Sequence, residues 1–139
     1  MNKKVWLGTL VVFVLFVIFN FLVDGLVLGG TYMSLQQIWR PDMMSKMWIF
    51  YVVNVFIAFF VTLIFSKGYE KKGIMEGVRY GFYVGMLMSI PMGFDTYAMI
   101  AIPFSLALQW FIYGVIEYII VGIALSYVFK EKPKEAPVQ

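Results

Sequence analysis

The sequence predicts an all-α fold: an integral membrane bundle of four transmembrane helices with both termini in the cytoplasm. Three observations lead to this prediction. Of the 139 residues, 62% are hydrophobic and only 14% are charged, which is typical of proteins that cross a membrane several times. Four apolar runs are each long enough to span a bilayer. Most of the basic residues flank these runs on one side.

The first apolar run covers residues 5–23, and its 19 residues extend about 28 Å as a helix. A cleaved signal peptide would have a shorter apolar region of about 7–15 residues and a small-x-small cleavage site, and neither feature fits here. The other predicted spans cover residues 47–65, 80–100 and 104–129. The expected domains are therefore a four-helix transmembrane domain over residues 1–129 and a polar, disordered cytoplasmic tail over residues 130–139.

Two connections separate the first three spans. In residues 29–46, Ser34 is expected to cap a short amphipathic helix on the membrane surface, with three apolar side chains on one face: Leu35, Ile38 and Trp39. Trp39 and Tyr32 would then lie at headgroup depth. Residues 66–79 are basic and punctuated by glycine, which predicts a tight turn between antiparallel helices.

The basic residues indicate the orientation of the bundle. Nine lie at the amino terminus, in the connection over residues 66–79 or in the tail: Lys3, Lys4, Lys67, Lys71, Lys72, Arg79, Lys130, Lys132 and Lys134. Only Arg40 and Lys46 lie on the other side of the predicted spans. The positive-inside rule therefore places both termini in the cytoplasm.

The third span carries a small residue at every fourth position: Gly77, Gly81, Gly85, Ser89 and Gly93. On a helix this spacing forms one stripe along which a neighbouring helix can approach closely. We call these five residues the small-residue stripe and predict that they pack against another helix, within the bundle or across a subunit interface. Pro91 removes a backbone hydrogen bond near the end of the stripe, which favours a kink.

Glu117 is the first candidate for chemistry because it lies about halfway along the fourth span, with Gln109 and Tyr113 on the same face. A carboxylate at the centre of a bilayer costs on the order of 3 kcal/mol, so it is expected to face the bundle interior. Two interpretations remain open: a proton- or cation-responsive carboxyl group, or a neutral glutamic acid that hydrogen-bonds between helices, which the residue pattern favours slightly.

Four more polar residues fall in the half of the membrane away from the cytoplasm: Asn20, Asp24, Asn54 and Asp95. One interpretation is a polar vestibule that leads toward Glu117. The simpler interpretation, favoured for the two carboxylates, is that Asp24 and Asp95 end their helices in headgroup water. Asn20 and Asn54 lie deeper and are expected to be buried and to hydrogen-bond between the first two helices.

The composition limits the functional classes. The chain contains no Cys and no His, so thiolate and imidazole ligands for a metal or haem are absent, and neither a cofactor nor a metal is expected. The aromatic and methionine residues are those of an ordinary interfacial belt and of lipid-facing or packing positions. A nucleophile with its base, or a phosphate-binding loop, is not evident, so an enzyme is not expected. The basic residues lie at membrane edges, so nucleic acid is not an expected partner.

Several short segments resemble a group of uncharacterised four-helix bacterial inner-membrane proteins. They are Trp39-Arg40-Pro41, Lys67-Gly68-Tyr69-Glu70 with Gly73, Glu76-Gly77, Arg79-Tyr80-Gly81, Gln109-Trp110, and Ile116-Glu117 with Gly122. The resemblance covers most of the chain. It implies the four-span topology and a place in the bacterial inner membrane, and it implies no activity, ligand or catalytic residue.

The sequence leaves two candidate functions open. The favoured one is a structural or accessory subunit of a larger membrane complex, in which the small-residue stripe and the long fourth helix dock against other subunits. The alternative is a small proton- or cation-coupled transporter or channel that uses Glu117, as a homo-oligomer because four helices enclose little space. The expected partners are the lipid bilayer and either other membrane subunits or further copies of the chain.

Overall fold

The computed structural model describes residues 2–131, which are helical apart from short connections and contain no strand. The elements in chain order are α1 (Lys3–Asn20), a π-helix (Phe21–Val27), α2 (Gly29–Ser34), a 3₁₀ turn (Met43–Lys46), α3 (Met47–Gly68), α4 (Ile74–Ile90), a second π-helix (Pro91–Asp95), α5 (Thr96–Met99) and α6 (Phe104–Phe129). Of the predicted tail, residues 132–139 lie outside the described residues.

Three helical stretches are long and apolar enough to cross a membrane: Lys3–Val27, Met43–Gly68 and Phe104–Phe129. They indicate a membrane protein. The remaining predicted span, residues 80–100, is also mostly helical but is not one of these three stretches. Its small-residue stripe and Asp95 contribute little or negative hydropathy, which explains why it is less apolar than the others.

The turn before α4 is shorter than predicted, since α3 continues to Gly68 and α4 begins at Ile74. The Glu76 carboxylate closes this turn by accepting hydrogen bonds from the backbone N–H groups of Glu70 at 2.6 Å and of Lys72 at 2.9 Å. Gly73 adopts a positive φ of 82°, a backbone conformation that glycine adopts without steric cost. The connection therefore comprises only residues 69–73.

The predicted helix that starts at Ser34 is wrong. Ser34 instead ends α2, and its hydroxyl donates to the carbonyl of Thr31 at 2.7 Å. This local hydrogen bond satisfies the hydroxyl without any helix following it, and residues 35–38 form turns. The three apolar residues of this segment nevertheless pack together against a buried cluster: Leu35, Ile38 and Trp39.

Each of the two π-helices continues an α-helix that precedes it. The first extends α1 four residues past the predicted end at residue 23, to Val27. The second begins at Pro91, which has no N–H to continue the α-helical hydrogen-bond pattern. The predicted disruption at Pro91 therefore takes the form of a π-helical segment. Single turns of π-helix inside α-helices often occur at functional sites.

Two buried clusters organise the packing. The larger one joins α1, α3 and α6, and its residues include Val12, Phe16, Ala58, Val121 and Leu125. The smaller one, which we call the apolar platform, lies at the other end of α6 and consists of Leu28, Ile102, Leu106 and Ala107. Each cluster anchors one end of the described helices, because close van der Waals packing between apolar side chains stabilises contacts between membrane helices.

Helix α3 is covered along only part of its length. Its second half packs on α1 through four buried residues: Ala58, Val61, Thr62 and Phe65. The first half, residues 47–57, contains no buried residue: Met47, Asn54 and Ile57 are half-buried along one side, and the other side chains are exposed. We call residues 47–57 the free half of α3.

Candidate functional site

A side-chain hydrogen-bond network joins three distant parts of the chain. The Tyr32 hydroxyl donates to Oδ1 of Asp24 at 2.7 Å and accepts from Nε1 of Trp110, also at 2.7 Å. The backbone carbonyl of Tyr32 accepts from Nε1 of Trp39 at 3.2 Å. The first π-helix, α2 and α6 are therefore linked through one residue.

Local structure and packing together position this network. Asp24 lies in the first π-helix and Tyr32 lies eight residues later in α2, about two turns away and on the same side. The apolar platform lies beside both residues, and the rings of Trp39 and Trp110 pack against it. Hydrogen bonds near such an apolar surface compete little with water, which strengthens them.

The Tyr32 phenol is a neutral hydrogen-bond donor. Burial raises the pKa of Tyr32 above its ordinary value, and the hydrogen bond to Asp24 raises this pKa further. The N–H of Trp110 opposes the shift but is a smaller effect. A phenol held in the protonated form can donate to the carboxylate at any physiological pH.

Glu117 lies on α6 seven residues after Trp110, about two turns away. Its carboxyl group is close enough to Asp24 to interact with it electrostatically. No side-chain hydrogen bond from Glu117 or Gln109 to another residue occurs in the described part of the chain. Tyr113 packs against the apolar platform. Asp24 is the member of the predicted vestibule with this interaction, and the vestibule itself stays a prediction.

The residues predicted to be buried are only half-buried in the described chain: Glu117, Gln109, Tyr113, Asn20 and Asn54. Asn20 and Asn54 form no side-chain hydrogen bond within residues 2–131, so the expected bond between the first two helices is absent there.

The two carboxylates predicted in the outer half of the membrane differ in burial and in hydrogen bonding. Asp24 is half-buried and bound by Tyr32, so the interpretation that it simply ends its helix in headgroup water is wrong for this residue. Tertiary contacts with α2 and α6, which residue type alone does not reveal, account for the difference. Asp95 ends the second π-helix and is exposed. The structure does not bring Asp95 into the network.

The small-residue stripe lies against α6. A Cβ atom on Gly77 or Gly81 would come within 3.0 Å of the α6 backbone at Gly122 or Tyr118. Ser89 faces Gly114, while Gly85 faces Val115 and Gly93 faces Ala107. All five residues of the stripe therefore face the same helix of the same chain, and the expectation that the stripe docks against other subunits is wrong. Helix α6 can come this close at Gly77 and Ser89 because its Gly122 and Gly114 lack side chains at those contacts.

Sequence reasoning missed Tyr32 and Trp110 as members of the network. It assigned Tyr32 to headgroup depth and gave Trp110 no role. A buried Tyr hydroxyl or Trp N–H usually finds a hydrogen-bond partner, and this was the available signal. The identity of the partner depends on how α2 packs against α6, which the sequence pattern does not specify.

The fold and the network define a class, a helical membrane protein in which a tyrosine donates to a half-buried carboxylate and accepts from a tryptophan. No group of three or more His, Cys, Asp or Glu residues arranged to hold a metal ion occurs within residues 2–131. Comparison of the chain with protein-family models, with curated proteins and with solved structures found no match. Function therefore has to be argued from the chain itself.

Proposed function

We propose that this chain is a structural or accessory subunit of a larger membrane complex, without catalysis of its own. In this proposal α4 and the π-helix after it form the third of four spans, and the close contact of α4 with α6 along the small-residue stripe supports that placement. The nine-to-two distribution of basic residues supports cytoplasmic termini. The resemblance to four-helix bacterial proteins supports a location in the bacterial inner membrane.

The free half of α3 is the observation that carries the proposal. Ten residues of the free half and its continuation are exposed large hydrophobics: Trp48, Ile49, Phe50, Tyr51, Val52, Val53, Val55, Phe56, Phe60 and Ile64. Side chains this exposed make few of the interhelical van der Waals contacts that stabilise membrane helices, although Ile57 packs against the larger buried cluster. Docking against a helix of another subunit restores those contacts.

Asn54 distinguishes the surface of the free half of α3 from a surface that faces only lipid. Its amide lies within a stretch of mean hydropathy 2.4 and has no hydrogen-bond partner in the described part of the chain. Lipid tails cannot hydrogen-bond to an amide, so an unpaired amide is unfavourable within a bilayer. A partner helix that carries a polar side chain at this depth would satisfy Asn54, and the partner subunit is expected to have this chemistry.

Photo-crosslinking in the native membrane tests the proposal. A crosslinking amino acid replaces Phe56 in the free half of α3, and a control replaces Leu87 of α4, which is also a highly exposed apolar residue. We expect the position-56 probe to capture a different membrane protein and the position-87 probe to capture none. Crosslinks from position 56 only to lipid, or only to further copies of this chain, would contradict the accessory role.

A small transporter or channel is the second candidate, and a specific observation favours it. Asp24 and Glu117 interact electrostatically, and two ionisable groups near one another within a membrane often lie on an ion or proton pathway. The network around Tyr32 would then hold Asp24 at the entrance of such a pathway. The Glu117→Gln experiment described below separates this function from the accessory role.

A further inference from the structure

A cleft of about 310 Å³ opens at the end of the molecule where the three apolar helical stretches meet. It is lined by residues from the start of α1 and the ends of α3 and α6: Asn2, Lys4, Val5, Leu63, Ser66, Lys67, Tyr69, Phe129 and Glu131. Its volume lies at the lower end of the about 300–1,000 Å³ typical of small-molecule sites. Since each stretch ends here, the cleft lies at the boundary between the hydrocarbon and the aqueous phase.

Two lysines supply positive charge to the cleft. Lys4 is half-buried, and its Nζ donates to the backbone carbonyl of Phe129 at 3.4 Å. Lys67 is exposed in the last turn of α3. Neither lysine forms an ion pair with a carboxylate of residues 2–131. The one carboxylate at the rim, Glu131, is already bound to Lys71 at 3.0 Å.

The remaining lining combines polar and apolar surface. Ser66 and Asn2 line the cleft with polar groups, with the Ser66 hydroxyl donating to the carbonyl of Leu63 at 2.6 Å, while Val5 and Leu63 supply apolar surface. Ile64, next to Leu63 in α3, is 59% exposed and continues the apolar surface outside the cleft. A ligand that fits this arrangement has an anionic head and an apolar tail.

We propose that this cleft binds the headgroup of an anionic phospholipid. The ammonium groups of Lys4 and Lys67 contact the phosphate, the Ser66 hydroxyl lies beside it, and the acyl chains descend along Leu63 and Ile64. Basic pockets between transmembrane helices bind such headgroups in other membrane proteins. This site is independent of the accessory role, because it lies at the opposite end of α3 from the free half.

Thermal unfolding in neutral detergent tests the site, with and without added phosphatidylglycerol. The decisive variant is Lys4→Gln/Lys67→Gln, and the matched control is Arg40→Gln/Lys46→Gln, which removes the same charge at the other end of the molecule. We expect phosphatidylglycerol to raise the melting temperature of the wild type and of the control by several degrees. In the cleft variant the increase should fall by at least half.

Two other additives and two further variants test whether the stabilisation is specific to the anionic lipid and to the cleft. Phosphatidylcholine should produce no comparable stabilisation, and inorganic phosphate alone should not replace the lipid. The single variant Lys67→Gln leaves the Lys4 to Phe129 hydrogen bond intact, so it carries the test if the double variant does not fold, and Lys67→Arg should restore the response. Equal stabilisation of the cleft and control variants, or equal stabilisation by phosphatidylcholine or by phosphate, would overturn the proposal.

Discussion

The indole N–H of Trp110 donates to the hydroxyl oxygen of Tyr32 at 2.7 Å, although the two residues lie 78 positions apart in the chain. The same hydroxyl donates to Asp24. One oxygen atom therefore connects the end of the first helical stretch to the last helix. This contact also holds residues 29–39 against the apolar platform, because Trp39 binds the backbone of Tyr32.

Removing the Tyr32 hydroxyl is expected to destabilise the protein. Tyr32→Phe keeps the ring but leaves the Asp24 carboxylate and the Trp110 N–H without their shared partner. An unsatisfied buried polar group costs about 1–3 kcal/mol, so the unfolding free energy in detergent should decrease by about that amount. Tyr83→Phe is the control, because Tyr83 is 67% exposed. Equal stability of the two variants would contradict the importance of the network.

Adding one methyl group to the small-residue stripe is expected to separate α4 from α6. In Gly81→Ala the new Cβ would come within 3.0 Å of the backbone at Tyr118 and Ile119, and overpacking of this kind costs about 1–3 kcal/mol. Gly30→Ala is a matched control in α2, where a Cβ would meet nothing within 4 Å. Thermal unfolding should show a lower melting temperature for Gly81→Ala than for the wild type and no loss for Gly30→Ala. A stabilised Gly81→Ala would show that helix propensity outweighs the clash.

Thr62 offers the opposite test, a substitution expected to stabilise the protein. Its side chain is fully buried between α1, α3 and α6, and its hydroxyl has no partner among residues 2–131. Thr62→Val replaces that hydroxyl with a methyl group of similar size, so the unfolding free energy should rise by about 1 kcal/mol. Thr9→Val should not stabilise the protein, since the Thr9 hydroxyl donates to the carbonyl of Val5 at 2.7 Å. Stabilities are compared by thermal unfolding in detergent, and a less stable Thr62→Val would refute the expectation.

Glu117→Gln separates the two candidate functions. Glutamine keeps the shape and most of the hydrogen-bonding capacity of a protonated glutamic acid, so an accessory subunit should remain folded and bound to its partner. A coupling carboxyl group must exchange a proton, which an amide cannot do. Proton or cation flux into proteoliposomes, driven by a pH gradient, is compared between wild type and variant. Flux that disappears only in the variant would favour transport over the accessory role.

Reporter fusions test the proposed topology. A fusion at the carboxyl terminus and one inserted within residues 35–42 should report opposite sides of the membrane, since three spans of the proposed bundle separate them. The carboxyl-terminal fusion should report the cytoplasm. A periplasmic signal from that fusion would contradict the cytoplasmic carboxyl terminus, and the same signal from both fusions would contradict the three spans between them.

Local properties of the chain were sufficient to predict much of the fold. Continuous apolar runs identified the three stretches that can cross a membrane, and the predicted span at residues 104–129 coincides with α6. The four-residue spacing of Gly77, Gly81 and Gly85 also indicated one face suited to close packing. Both features depend on hydropathy and helical period, which are properties of residues close together in the sequence. They can therefore be predicted without the tertiary structure.

Only the tertiary structure decided which groups meet. The sequence left open whether the small-residue stripe faces its own bundle or another subunit, and the α6 backbone occupies it. Asp24 had the simplest interpretation of a helix end in headgroup water, yet it accepts a hydrogen bond from Tyr32 of α2, whose hydroxyl in turn accepts from Trp110 of α6. The position of a helix depends on its packing against all of its neighbours at once. The type and spacing of a few residues therefore do not specify where the helix lies.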